Sequence, residues 1–155
     1  MTGPKKRKVA ADDDEASQFH EQLKASVIHN IVTVQDDSMP SEPSAILEQI
    51  KEFHSAVNYN NRQTVYMHCL MGRNLDALKK NKAEDKDFIA DVQKKLPKEY
   101  SRSQIYFLID LHKLANEYNN IMFLSFPIGQ LKLKFSLLKQ LVRRDENFWK
   151  HSRVV

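Results

Sequence analysis

From Ser44 onward, apolar residues return every three or four positions, the period of a helix with one buried face. Ile46, Ile50, Phe53 and Val57 stand at i, i+4, i+7 and i+11, which predicts a first helix with Ser44 as its N-cap. Asn58-Tyr59-Asn60-Asn61 interrupts the pattern. A second helix is expected from Arg62 to Lys80, with Tyr66, Leu70, Ala77 and Leu78 inside and Val65, Cys69 and Leu75 close by; Asn81-Lys82 ends it. A third runs from Asp85 to Leu96 with Phe88, Ile89, Val92 and Leu96 on one face. Asp85 and Asp87 suit the positive end of its dipole. Pro97 stops it, because the residue before a proline is held out of helical geometry. Ser101-Arg102-Ser103-Gln104 fits a capping box and opens a fourth helix carrying Ile105, Leu108, Ile109, Leu111, His112 and Ala115, to about Tyr118-Asn119-Asn120. After Ser125 and Pro127, Leu131, Phe135, Leu138 and Val142 repeat at helical spacing, with Leu137 and Leu141 widening the stripe. Phe148 and Trp149 can close the core in a last short turn. No sustained alternation points to a sheet. The expected fold over residues 44–150 is an all-α bundle of about five helices.

The first 43 residues read differently. Lys5, Lys6, Arg7 and Lys8 form a basic cluster, and Asp12 to Glu15 an acidic block that repels itself; residues 1–16 are expected to be a disordered tail. In residues 17–35, Phe19 and Leu23 are one helical turn apart, and Val27, Ile28, Ile31, Val32 and Val34 follow as a short apolar stretch. It is too short for a core of its own, so it packs back on the main domain or adds to a partner as helix or strand. The expectation is a partner-binding segment built on Phe19, Leu23, Val27, Ile28, Ile31 and Val32. Residues 36–43, with two prolines and two serines, are expected to be a linker.

Composition narrows the chemistry. The 155 residues suffice for one domain and a tail. One cysteine allows no internal disulfide, and no Cys/His set has zinc spacing. No apolar run is long enough to span a membrane, and the basic N-terminus leads into acids rather than an apolar signal; an intracellular, reducing setting is expected. The only glycines are Gly3, Gly72 and Gly129, so neither a GxGxxG nor a GxxxxGK[ST] loop exists. The Asp-Pro-Pro-Trp signature of adenine methyltransferases is also missing. The six histidines are scattered; His68 beside Cys69, and Asp110 near His112, do not face each other on a helix. Glu84, Asp85 and Asp87 lack partners at metal spacing. No catalytic, metal or cofactor site is expected.

Charge does change the picture. Residues 1–40 hold five basic and seven acidic side chains, a net of −2, which leaves +6 of the overall +4 on residues 41–155. Lys132, Lys134, Lys139, Arg143, Arg144, Lys150 and Arg153 crowd the C-terminal end against Asp145 and Glu146 alone. Such asymmetry points to a polyanion or to a solvated lysine-rich surface. Helices three and four, joined by a tight turn, have the form of a helix-turn-helix, whose second helix puts its N-terminal turn into the major groove. Arg102 heads the candidates, since a guanidinium reads guanine bidentately or clamps phosphate. Ser103, Gln104, Tyr106 and Lys113 support it, Lys98 lies in the turn, and Lys132, Lys139, Arg143 and Arg144 form a second basic element.

Pro4-Lys5-Lys6-Arg7-Lys8-Val9 resembles a monopartite nuclear localisation signal, which implies a nuclear protein. The run Ser101-Arg102-Ser103-Gln104-Ile105-Tyr106 resembles homeobox-like and other helix-turn-helix DNA-binding domains, although no Trp-Phe-x-Asn string follows on that helix. With the Asn-rich stretches at residues 58–61 and 117–120, the chain is similar to the small homeobox-like subunits of ciliate DNA N6-adenine methyltransferase complexes. That resemblance, over residues 44–150, implies a non-catalytic subunit that binds double-stranded DNA. A larger catalytic subunit, accompanied by other accessory subunits, would hold S-adenosylmethionine.

Two functions of different class fit. One is a nuclear DNA-binding accessory subunit; the other is a structural adaptor that stabilises a complex without touching DNA. A transcription factor acting alone is a third, and predicts tight binding to one short site. In the first, Arg102 and the 132–144 basics line one surface with little acid between them. In the second, acids such as Glu99 and Asp110 pair with them.

Overall fold

The stretch Val65–Met71 is buried on every side, as expected of a helix with apolar residues all round. It belongs to α3 (Thr64–Lys80), which lies between α2 (Pro43–Tyr59) and α5 (Arg102–Glu117). The computed structural model describes residues 3–27, 37–59, 64–82, 84–96, 98 and 100–150, with backbone alone at 3–13, 58, 59 and 64. The remaining helices among these residues are α1 (Gly3–Ala25), α4 (Asp85–Lys95), α6 (Ile128–Leu133), α7 (Phe135–Arg144) and α8 (Glu146–Lys150). A 3-10 turn spans Asn119–Phe123, and no strand occurs among the described residues.

The all-helical class agrees with the hydrophobic period, but several boundaries differ. Ser44 is not an N-cap: α2 starts at Pro43, and its first bond runs from Ile46 N–H to the Glu42 carbonyl. A proline in the first turn forfeits only a donor that has no helical partner. The fifth segment is two helices rather than one, broken at Lys134, and the last short turn expected at Phe148 and Trp149 is α8, which follows Asp145. α5 stops at Glu117, close to the end expected at Tyr118-Asn119-Asn120, and the 3-10 turn follows it.

The close approach of α3 and α5 depends on Gly72. A Cβ at that position would stand 1.9 Å from the Leu108 carbonyl oxygen and 3.0 Å from the His112 Cβ. On the other side of α3 a polar layer fixes α2. The fully buried Asn74 amide donates to Gln49 Oε1 (2.8 Å) and to the Ile46 carbonyl (3.2 Å), while Arg73 Nε donates to Asn74 Oδ1 (3.0 Å). Gln49 Nε2 in turn donates to the Ser38 carbonyl at 3.0 Å, and the Tyr66 hydroxyl donates to Asp37. The linker is therefore tied to the bundle through Asp37 and Ser38, and Pro43 belongs to α2; Asp36 lies outside the described residues.

Up to Val27, the segment expected to bind a partner packs back instead. Phe19, Leu23 and Val27 are 2%, 0% and 6% exposed within the chain's own core. Ile28, Ile31 and Val32 lie outside the described residues. α1 lies on α7, and beyond it Val27 makes a single antiparallel bridge with Leu124. Its polar side meets the start of α8. Lys24 Nζ is 2.9 Å from Asp145 Oδ2, a bond that holds the Asp145 carboxyl below its usual range and raises the Lys24 ammonium. The Trp149 indole N–H donates to His20 Nε2 at 3.1 Å and the two rings stack. That nitrogen therefore carries no proton, so the 3.8 Å approach of His20 to Asp145 is not an ion pair in this state. Burial, then Lys24, lowers the His20 pKa from its ordinary 6.5. Asp14 and Glu15, at the end of the acidic block, are exposed.

Gly72→Ala is expected to destabilise the fold by about 2 kcal/mol or more, because overpacking against backbone outweighs alanine's better helix propensity. The urea midpoint measures it. For His20, the folded chain binds a proton more weakly than the unfolded chain, so its contribution is full above pH 6.5 and is lost as pH falls below that value. Urea titrations followed by circular dichroism should show His20→Gln losing less stability between neutral and mildly acidic pH than the wild type.

Candidate nucleic-acid interface

The first turn of α5 is capped as its sequence predicts on one side only. Ser101 Oγ accepts from the Gln104 N–H at 3.1 Å. Gln104 does not return the bond; its Oε1 accepts from Lys132 Nζ at 2.8 Å. The half-made capping box thus joins α5 to α6, and with it the two basic elements. Lys132 lies over the Phe107 ring (5.9 Å), Phe107 meets Phe135 edge-on (5.4 Å), and Lys139 lies over Phe135 (5.3 Å). Lys132 and Lys139 are consequently half-buried along their stems rather than free on a wet face. Arg143, one turn beyond Lys139, is exposed.

A helix advances about 100° per residue, so Arg102, Tyr106 and Lys113 share one flank of α5 and Gln104 and Phe107 the other. Ser103, Asp110 and Glu117 follow the ridge between them, all exposed. On the first flank the Arg102 guanidinium lies over the Tyr106 ring at 5.7 Å, and the Lys79 ammonium lies over it at 5.3 Å. The Tyr106 hydroxyl donates to Asp85 Oδ2 at 3.1 Å; burial and this bond raise its pKa.

Near Ser103 the ridge is neutral with cations on both flanks; farther along, Asp110 and Glu117 bring in acid. Among the described residues, no carboxylate lies within ion-pair distance of Arg102, Lys113, Lys132, Lys139, Arg143 or Arg144. Asp110 pairs with none of them, and Glu99 lies outside the described residues. Lys98 is exposed in the turn before α5.

Not every predicted residue joins this surface. Lys113 lies about three turns along α5 from Arg102, beyond Asp110, and its charge helps lower the pKa of the neighbouring His112 after burial. Arg144 acts on His20 beside α1, away from Lys139. Gln104 has its side-chain oxygen occupied by Lys132 and braces α5 against α6. Tyr106 serves as the platform for Arg102. Lys5, Lys6, Arg7 and Lys8 lie where backbone alone is described. Sequence reasoning missed Lys79, whose place over Tyr106 has no local signature. It also missed Leu133, 87% exposed between Lys132 and Lys134; an apolar residue two positions after Leu131 and off the stripe is the signal.

Elsewhere the chemistry is quiet. His68 and Cys69 are both buried, and burial pushes the Cys69 thiol far up. No metal-holding group of His, Cys, Asp or Glu, and no helix long and apolar enough to cross a membrane, occurs among the described residues. No protein-family model, curated protein or solved structure matches this chain.

Ser101→Ala should cost about 1 kcal/mol of stability through the lost cap. Ser103→Ala, which removes no bond, should stay within about 0.5 kcal/mol. Thermal melts of the two variants separate the capping serine from the surface serine.

Proposed function

We propose that this chain is a non-catalytic, nuclear, DNA-binding accessory subunit that helps a larger enzyme engage double-stranded DNA. The carrying observation is the Gln104–Lys132 bond. It merges the first turn of α5 with α6 and α7 into one cationic surface of Arg102, Lys132, Lys139 and Arg143. Support also comes from what is not there: no carboxylate pairs with these cations among the described residues, so their charge is available to phosphates. The basic cluster at Lys5–Lys8 supports nuclear import. The resemblance to ciliate methyltransferase subunits makes the enzyme a DNA N6-adenine methyltransferase, which would itself bind S-adenosylmethionine. With Gln104 engaged and Arg102 laid on Tyr106, this surface grips the backbone more than it reads bases.

One observation favours the adaptor reading. A groove of about 370 Å³ between α2, α3 and α4 has Leu47, Leu78, Phe88 and Val92 among its walls. Its lining is mixed, with Ser44, Asn81, Asp91 and Lys95 beside those buried and half-buried side chains, and it offers a partner protein a small seat apart from the Arg102–Arg143 surface.

Fluorescence anisotropy on a short duplex over a salt series separates the two. Binding should weaken with salt, with a log–log slope near −0.9 per phosphate contact. Replacing Arg102, Lys132, Lys139 or Arg143 by alanine should each reduce that slope by about one contact and weaken all duplex sequences alike. Binding that ignores salt, or is absent at low salt, would leave the adaptor.

A further inference from the structure

We infer that Leu133 is a wedge that enters the base stack of a bound duplex and bends it. The inference rests on the DNA-binding reading above. A single exposed leucine is ordinary on a protein surface; the setting of this one is not. It is 87% exposed, and the only other exposed large apolar residue among those described is Met39 at 42%. It stands off the stripe that buries Leu131 and Leu138 completely. It occupies the elbow between α6 and α7, flanked in sequence by Lys132 and Lys134.

The elbow is fixed on both sides. Lys134 ends α6, its N–H bonding to the Gln130 carbonyl at 3.0 Å, and begins α7, its carbonyl accepting from Leu138 N–H at 2.9 Å. Its ammonium lies over Phe19 at 4.8 Å, which ties the elbow to α1. Lys132 is held by Gln104, and Phe135 is held edge-on by Phe107. Leu133 therefore projects from a fixed elbow, with a lysine on either side of it in sequence.

That combination matches the way minor-groove proteins act. An apolar side chain slips between base pairs and unstacks them, and the resulting kink brings more phosphate onto the protein's cations. Lys132 and Lys134 beside the tip, with Lys139 and Arg102 farther out, are placed to receive phosphates from both sides of such a kink. A lipid surface fits less well, because stable membrane attachment takes more than one anchoring element and the tip is a single side chain. A protein partner would meet one exposed leucine, since its apolar neighbours Leu131, Phe135 and Leu137 are buried or half-buried.

The test uses the full chain, its Leu133→Ala variant, and duplexes carrying a donor and an acceptor dye at their two ends. Leu133 is exposed, so the variant should melt as the wild type does. Wild-type binding should raise energy transfer between the ends. It should also favour a duplex already kinked by an unpaired bulge, by roughly tenfold over a straight one. Leu133→Ala should keep the wild-type salt slope, lose the rise in energy transfer, and bind bulged and straight duplexes alike. Wild-type binding without bending, or bending that survives in Leu133→Ala, would overturn the wedge and leave the DNA-binding reading standing. Absence of salt-dependent binding to any duplex would overturn both. Binding to phosphatidylserine vesicles that is lost in Leu133→Ala, with no bending of DNA, would overturn the wedge and assign the tip to a lipid surface.

Discussion

The missing side chain of Gly72 sets the distance between α3 and α5, and the rest of the arrangement follows from that distance. With the helices in close contact, Ile105, Leu108, Ile109 and Leu111 are driven into the core, and the opposite side of α5 becomes a ridge. The ridge leaves two flanks. One receives Lys79 from the end of α3 and Asp85 from the start of α4; the other receives α6 and α7. Were the two helices farther apart, the Tyr106 and Phe107 rings would not stand where the cations now rest.

Those rings explain how a basic surface is built without neutralising itself. A carboxylate would position a lysine or arginine strongly, but it would also cancel its charge. An aromatic face attracts the same cation by only about 0.5–1 kcal/mol at an exposed site and leaves the full charge in place. Arg102 over Tyr106, Lys132 over Phe107, Lys139 over Phe135 and Lys134 over Phe19 all use this device. Carboxylates pair with other cations, at the joint Lys24–Asp145 and within helices at Lys51–Glu48, Lys80–Asp76 and Lys95–Asp91. Lys24, over Phe148, and Lys150, over Tyr118, have both kinds of partner.

The sequence made α2 to α5 legible because their apolar residues keep a helical period and because the end of α4 and the start of α5 carry chemical marks, Pro97 and Ser101. The break at Lys134 carries no such mark. Neither glycine nor proline stands there, and the stripe Leu131, Phe135, Leu138, Val142 continues through the bend as if the helix were whole. The docking of α1 was not legible either. Phe19 and Leu23 announce an apolar face but not what covers it, and Trp149 lies 129 residues from His20. The same limit applied to the candidate site. The types of its residues could be read locally, whereas the Gln104–Lys132 bond, 28 residues apart, arises only when α5 and α6 meet.

The meeting of α1 and α8 also gives the chain an optical property. Trp149 is its single tryptophan, wholly buried, stacked on an imidazole and hydrogen-bonded to it. All of the indole emission therefore comes from one joint in the bundle. Opening that joint wets the ring and shifts the emission to the red, and protonating the imidazole quenches it. The seating of the first helix on the last is thus visible by colour and brightness, with no label attached.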